Sequence, residues 1–359
     1  LSLLIFVETL VAVESQPIFN GKSSDLKTTK FCATLDEPIP IGENAVWCAA
    51  FLCAWKDLES NLVKEQISLE EPPEIITLLN TATNPRKHIP EDILFISAGW
   101  NDKGIIDRIK DGLKRKFPGA AMPSFPGILP DSFIAYAYLE ANIKFSIPYF
   151  QNRNGMYFKD AAGKWINVTC FGIREKDEYA YDKLRDQPQI FFSDNKVDER
   201  RRINQCIIDL DRTSKPNQII LALIEPKPTL SEMIKTIEEK ISIAEEKAGS
   251  NDEGLGPNDV LLVPDICFRV SHRFEELEGK KFKNVGMKGQ RIDVAQEDIF
   301  FRLDRSGAEL KSEAKSYCWP VPTHYVFNRP FLICMRKRGE KEPFFVMWID
   351  NTELLKPWK

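Results

Sequence analysis

Apolar residues recur at two spacings along the chain, and the change from one to the other divides it. In Asn44 to Leu62 they fall at helical spacing, with Lys56, Asp57 and Glu59 on the other face, which predicts a short strand running into a buried helix. Pro72-Pro73 and residues 81–90 (TATNPRKHIP) break the chain before Ile93 to Ile96, a strand candidate, and Asp102 to Phe117 has the pattern of an amphipathic helix. Residues 118–130 (PGAAMPSFPGILP) hold four prolines, which fix φ and remove donors, so this stretch predicts an extended linker across a surface.

Beyond it the chain is mostly strand-like. Phe133 to Tyr149 reads as a long strand, followed by Asn167 to Phe171, Cys206 to Leu210 and the buried run Gln218 to Ile224. Leu230 to Lys247 is an amphipathic helix with Thr229 as its N-cap. Val260 to Phe268, Asp293 to Leu303, Tyr325 to Met335 and Phe344 to Ile349 complete the strand set, and Gln16 to Gly42 reads as polar loop. Helices gathered early and strands late predict the α+β class, without an internal repeat.

Composition narrows function more than fold. The 359 residues are 43% hydrophobic and 28% charged, enough for a sizeable core, and the net charge is −4 with both signs interleaved. The basic clusters at 114–116, 200–202 and 336–338 are diluted by flanking acidic or turn residues, so no nucleic-acid surface is expected. Residues 1–15 (LSLLIFVETLVAVES) are too short to cross a bilayer, and no other window reaches transmembrane length. They read either as the apolar part of a secretory leader or as a docking segment; the first reading favours a secreted or periplasmic protein over a cytoplasmic one. Eight cysteines without a CxxC pair, most in apolar runs, predict buried thiols.

Catalytic chemistry finds little footing. His88, His272 and His324 share no metal-like or hydrolase-like spacing, and Cys318 with His324 lacks a third partner. Gly254-Leu255-Gly256 has neither the spacing nor the flanking elements of a phosphate loop, and the paired carboxylates at 70–71 and 275–276 lie in solvated contexts. No catalytic residue, metal or cofactor is assigned. Asn167-Val168-Thr169 fits a glycosylation sequon inside a predicted strand.

Residues 325–335 (YVFNRPFLICM), with Phe327, Asn328, Arg329, Pro330 and Phe331 at their centre, resemble the serpin signature at every position. The charged hairpin and Phe345 to Asn351 that follow are similar to the final buried strand of that family, with Trp348 in place of a usual glycine. Upstream and in the family's order, Asp293 to Gly307 resembles the strand leading into the reactive loop, Leu262 to Phe268 its Leu-Pro-x-Phe strand, and residues 144–149 (KFSIPY) its breach motif. The resemblance covers about residues 131–359 and implies a serpin-like α+β fold: a large central mixed or antiparallel sheet, further sheets, N-terminal helices, and fewer helices than a full serpin. It divides the chain into an N-terminal segment, 1–42, and a single domain, 43–359. The prolines at 118–130 lie where a helix normally crosses the front of the central sheet, so that helix is expected to be missing.

The resemblance also implies that function rests on an exposed loop, about Gly307 to Val326. Inhibitory members trap a protease when the cleaved loop inserts into the central sheet, which needs small hinge residues. Here the hinge is Gly307, Ala308, Glu309, Leu310, Lys311, Ser312, Glu313 and Ala314, where bulk and charge oppose insertion. The scissile region is Tyr317, Cys318, Trp319, Pro320 and Val321, and its prolines restrict protease access. The expectation is a non-inhibitory binding or structural protein whose partner is a protein; the alternative is an inhibitor of a serine or cysteine protease.

Overall fold

Long β-forming runs fix the frame, because they can satisfy their backbone groups only by pairing with one another. The structure is a computed structural model, and it describes residues 16–125, 127–130, 132–174, 184–248, 254–256, 258–306 and 322–358. In chain order the strands are β1 (Phe19–Lys22), β2 (Thr29–Cys32), β3 (Asn44–Cys48), β4 (Leu94–Trp100), β5 (Phe133–Asn142), β6 (Phe150–Lys159), β7 (Trp165–Ile173) and β8 (Gln189–Ser193). They continue with β9 (Cys206–Asp209), β10 (Asn217–Leu223), β11 (Val260–Pro264), β12 (Ile266–Arg273), β13 (Ile292–Leu303), β14 (His324–Val326), β15 (Phe331–Lys337) and β16 (Pro343–Ile349). The α-helices are α1 (Ala49–Asp57), α2 (Ile75–Thr81), α3 (Ile105–Lys116) and α4 (Leu230–Ala248).

These strands build three sheets, ordered β1-β12-β13-β5-β4, β2-β3-β16-β15-β10-β9-β8 and β14-β11-β7-β6. The first is mixed: β13 runs parallel to β5, and β1 parallel to β12. Its inner face is dry, since alternation sends Phe133, Ala135, Ala137 and Leu139 of β5 and Ala295, Ile299 and Phe301 of β13 into the main core. The apolar helix α1 lies beneath this sheet with Ala49 to Trp55 buried, and the ring of Phe301 stacks on Phe345 of β16 at 4.5 Å, joining the first two sheets.

The outer face carries the other parity, Ile134, Tyr136, Tyr138 and Val294, and forms a second apolar cluster with Ile105, Ile109, Leu113 and Phe117 of α3 and its exit. Residues 117–130 have no helix or strand among those described, as the prolines require, and Phe125 packs edge-on against Tyr136 at 5.9 Å. The front of the sheet is nevertheless covered, because α3 takes the place where no crossing helix was expected. Gly112 makes this close approach possible: a Cβ there would fall 2.3 Å from the Phe95 ring of β4.

Several boundaries differ from the sequence reading. The run 133–149 stops as a strand at Asn142, where β5 ends and the chain turns through Ser146 to Tyr149. Val260 to Phe268 divides into β11 and β12 of different sheets, and 325–335 divides at Pro330 into β14 and β15. Within the stretch read as polar loop, residues 19–22 and 29–32 add parallel edge strands to two sheets. Trp348 is accommodated because its Cα partner on β3 is the small Ala45, leaving the indole 2% exposed.

Candidate functional site

The region leading into the predicted loop is the seam between β13 and β5. These parallel strands pair from Ile292 opposite Phe133 through Arg302 opposite Asn142, with one irregularity near the start. At the exit from β13, Arg302 Nε donates to Asp304 at 2.7 Å and its Nη2 to Ser306 Oγ at 2.9 Å, while Ser306 N donates to Asp304 at 2.9 Å. This turn is then sewn to the 143–149 segment: Phe145 N donates to Ser306 O at 2.9 Å, Tyr149 N to Arg305 O at 3.1 Å, and Arg305 Nε to Tyr149 O at 3.1 Å.

The segment itself is anchored from below. Tyr149 is fully buried, and its hydroxyl donates to Leu210 O at 2.5 Å. Gln187 exchanges two hydrogen bonds with the backbone of Ile147, and Asp211 accepts from Ser146 N at 2.6 Å. Residues 144–149, matched to the breach motif, thus form a turn locked to both β13 and the seven-stranded sheet.

Midway along the seam a carboxyl points inward. Glu297 is 1% exposed, and its Oε1 accepts from Phe51 N of α1 at 2.9 Å, with the Cys48 thiol as a second partner. Burial pushes its pKa up to about 8, the bonds from Cys48 and Phe51 pull it back, and the neighbouring Asp298 raises it further. Sequence reading missed this group. Its signal was one acid at the inner-face parity of an otherwise apolar alternation, Ala295, Glu297, Ile299 and Phe301.

The far end of the loop is fixed by β14. His324, Tyr325 and Val326, expected to belong to the exposed loop, pair in parallel with Val260, Leu261 and Leu262 of β11, and Tyr325 and Val326 are buried. Asp259 accepts from Thr323 N at 2.7 Å and from Gly256 N at 2.8 Å, and burial raises its pKa against those bonds. Arg201 donates to Pro322 O at 2.8 Å. Both roots, residues up to 306 and from 322, are therefore held by an acid and an arginine.

Among the signature residues, Phe327 and Phe331 are fully buried and meet edge-on at 5.4 Å. Asn328 is buried, and Arg329 Nη2 donates to the carbonyls of Ile203 and Asn204 at 2.8 and 2.6 Å. Pro330, expected in the core beside Phe331, is only half-buried because it sits at the turn between β14 and β15. The signature thus ties β15 to the loop before β9, and its role here is packing.

The hinge residues Gly307, Ala308, Glu309, Leu310, Lys311, Ser312, Glu313 and Ala314 and the scissile residues Tyr317, Cys318, Trp319, Pro320 and Val321 lie outside the described residues, as do residues 1–15. Cys318 is thus not described beside His324, whose backbone is bonded to Arg201 and Ile203. Among the described residues no group of three or more His, Cys, Asp or Glu could hold a metal ion, and no helix is long and apolar enough to cross a membrane. The seven described cysteines are buried and none is in a disulfide, and burial raises the thiol pKa of Cys206 and Cys334 to about 12.

No family model matches the sequence. No curated protein matches it either. Solved structures do. Mouse protein-Z dependent protease inhibitor aligns with a TM-score of 0.53 at 12% identity over 86% of this chain and 91% of that one. A thermophilic serpin, tengpin, in its native state aligns at 0.52 with 12% identity over 87% and 90%. Thyroxine-binding globulin in complex with thyroxine aligns at 0.50 with 11% identity over 86% and 92%. The chain has the serpin fold, at a sequence distance that leaves the activity to be argued from its own residues.

Proposed function

We propose that this serpin-fold chain acts as a protein-binding or structural member through the loop at 307–321, without trapping a protease and without catalysis. The neighbours include a protease inhibitor and a thyroxine-binding protein, so the fold is compatible with either kind of role.

The observation that carries the reading is the two-sided burial of the β5–β13 seam. A strand inserted there would have one face on the apolar core and the other on the front face, whose apolar part is covered by α3. The hinge alternates Ala308, Leu310, Ser312, Ala314 and Ser316 with Glu309, Lys311, Glu313 and Lys315. Turned inward, the charged set would lose water on the core; turned outward, it would displace the packing under α3 along the rows that α3 covers, an unfavourable exchange unless each charge found a partner. Insertion would also break the β5–β13 ladder.

The inhibitory alternative draws on Ala308, Ser312, Ala314 and Ser316, which are small enough for one face of an inserted strand. Incubation with proteases of tryptic, chymotryptic and elastolytic specificity, followed by a denaturing gel, separates the readings. Intact protein, or simple cleavage between Tyr317 and Val321, is expected. A covalent high-mass band with any of the proteases would overturn the proposal.

A further inference from the structure

The front face of the central sheet changes character beyond the area under α3. Register places Lys22, Ser271, Asp298 and Tyr138 in one row across β1, β12, β13 and β5, and the next row brings Arg269 opposite Phe300. Over these polar rows passes the chain at 121–124, and together they enclose a cleft of about 500 Å³. That volume lies in the range of small-molecule sites.

The charges in the cleft are unequally matched. Arg273 is held by Glu278 through two bonds of 2.8 and 2.6 Å, and Asp298 accepts from Tyr136 Oη at 2.7 Å and from Gln296 Nε2 at 3.0 Å. Arg269 makes no close ion pair or side-chain hydrogen bond among the described residues, and its charge reaches Asp298 only at longer range. Its guanidinium lies over the Phe300 ring at 5.0 Å, and its Nε is buried without an acceptor. A buried donor of this kind is costly unless something supplies the acceptor.

We propose that this cleft binds a small organic molecule carrying a single oxyanion, a carboxylate or phosphate monoester, whose oxygens meet Arg269 while an apolar ring lies under Met122. A planar guanidinium is suited to a two-oxygen anion. Asp298 in the floor and Glu275 at the rim repel a second negative charge, so a polyanion is disfavoured. Because Tyr138 belongs to β5 and Asp298 to β13, the occupant touches both sides of the seam and stabilises its closed form. The site is independent of what the loop at 307–321 does.

Isothermal titration of the full chain with benzoate, phenyl phosphate and the neutral control benzyl alcohol tests this. The expected result is saturable one-to-one binding of at least one anionic probe, none of benzyl alcohol, and a melting temperature that rises with the bound probe. Arg269→Gln should weaken binding at least roughly tenfold, the scale of one lost charge-assisted contact. Met122→Glu, at a position 45% exposed and outside the sheet, should weaken it similarly without disturbing the fold. Neither anionic probe saturating, or both variants binding as the parent does, overturns the proposal; the relative affinity of the two probes identifies the oxyanion class.

Discussion

Glu297→Gln removes an ionisable group from beneath the β5–β13 seam while keeping its size and an acceptor for Phe51 N. In the folded protein the carboxyl has its pKa raised from 4.5 to about 8, mainly by burial. The fold therefore binds this proton more tightly than the unfolded chain, and the associated stability is fully present below pH 4.5 and lost as pH rises through 8. A tenfold difference in proton affinity corresponds to ~1.4 kcal/mol, so the whole effect is on the order of 4 to 5 kcal/mol. Urea unfolding of parent and variant at intervals across that window measures it. Buried acids that do not interact with Glu297, Asp265 among them, are common to both proteins and largely cancel in the difference. The stability difference should move in the variant's favour by up to ~1.4 kcal/mol per pH unit within the window and level off outside it. Parallel pH profiles would refute the reasoning, since they would mean that Glu297 is hydrated or already charged in the fold.

Three further changes test the packing around the seam and the loop roots. Phe331→Ala empties a fully buried site between Phe327 and Phe158 and should cost about 3–5 kcal/mol in urea unfolding. Arg329→Met leaves the carbonyls of Ile203 and Asn204 without their charged donor, for a loss of roughly 1.5–3 kcal/mol in the same assay. Gly112→Ala places a Cβ against the Phe95 ring and should cost about 1–3 kcal/mol, part of which Phe95→Leu restores in the double variant.

The strand and helix pattern of the chain carried much of the architecture. Runs such as 293–303 and 344–349 are long and apolar enough to be strands in any context, and the ordered motifs from 144 to 351 specified how they follow one another. The cover of the central sheet was not legible: the prolines at 118–130 mark where no helix can form, whereas the apolar stripe of residues 105–116 needs a partner that only tertiary structure supplies. The edge strands at 19–22 and 29–32 have no strong pattern of their own; pairing with β12 and β3 makes them strands. The acids and arginines at the loop roots, Asp304, Arg302 and Asp259, resemble ordinary surface charges in sequence, and they acquire meaning only where backbone donors converge on them.

The central claim is that the loop works without entering the sheet, and the melting temperature before and after limited cleavage within residues 317–321 tests it most directly. A strand added between β5 and β13 would extend the core on both faces and raise stability greatly, as any contribution confined to the folded state must. Cleaved and intact protein are expected to melt together. A large rise on cleavage would mean that the loop inserts despite Leu310, Lys311 and Glu313, and would contradict it.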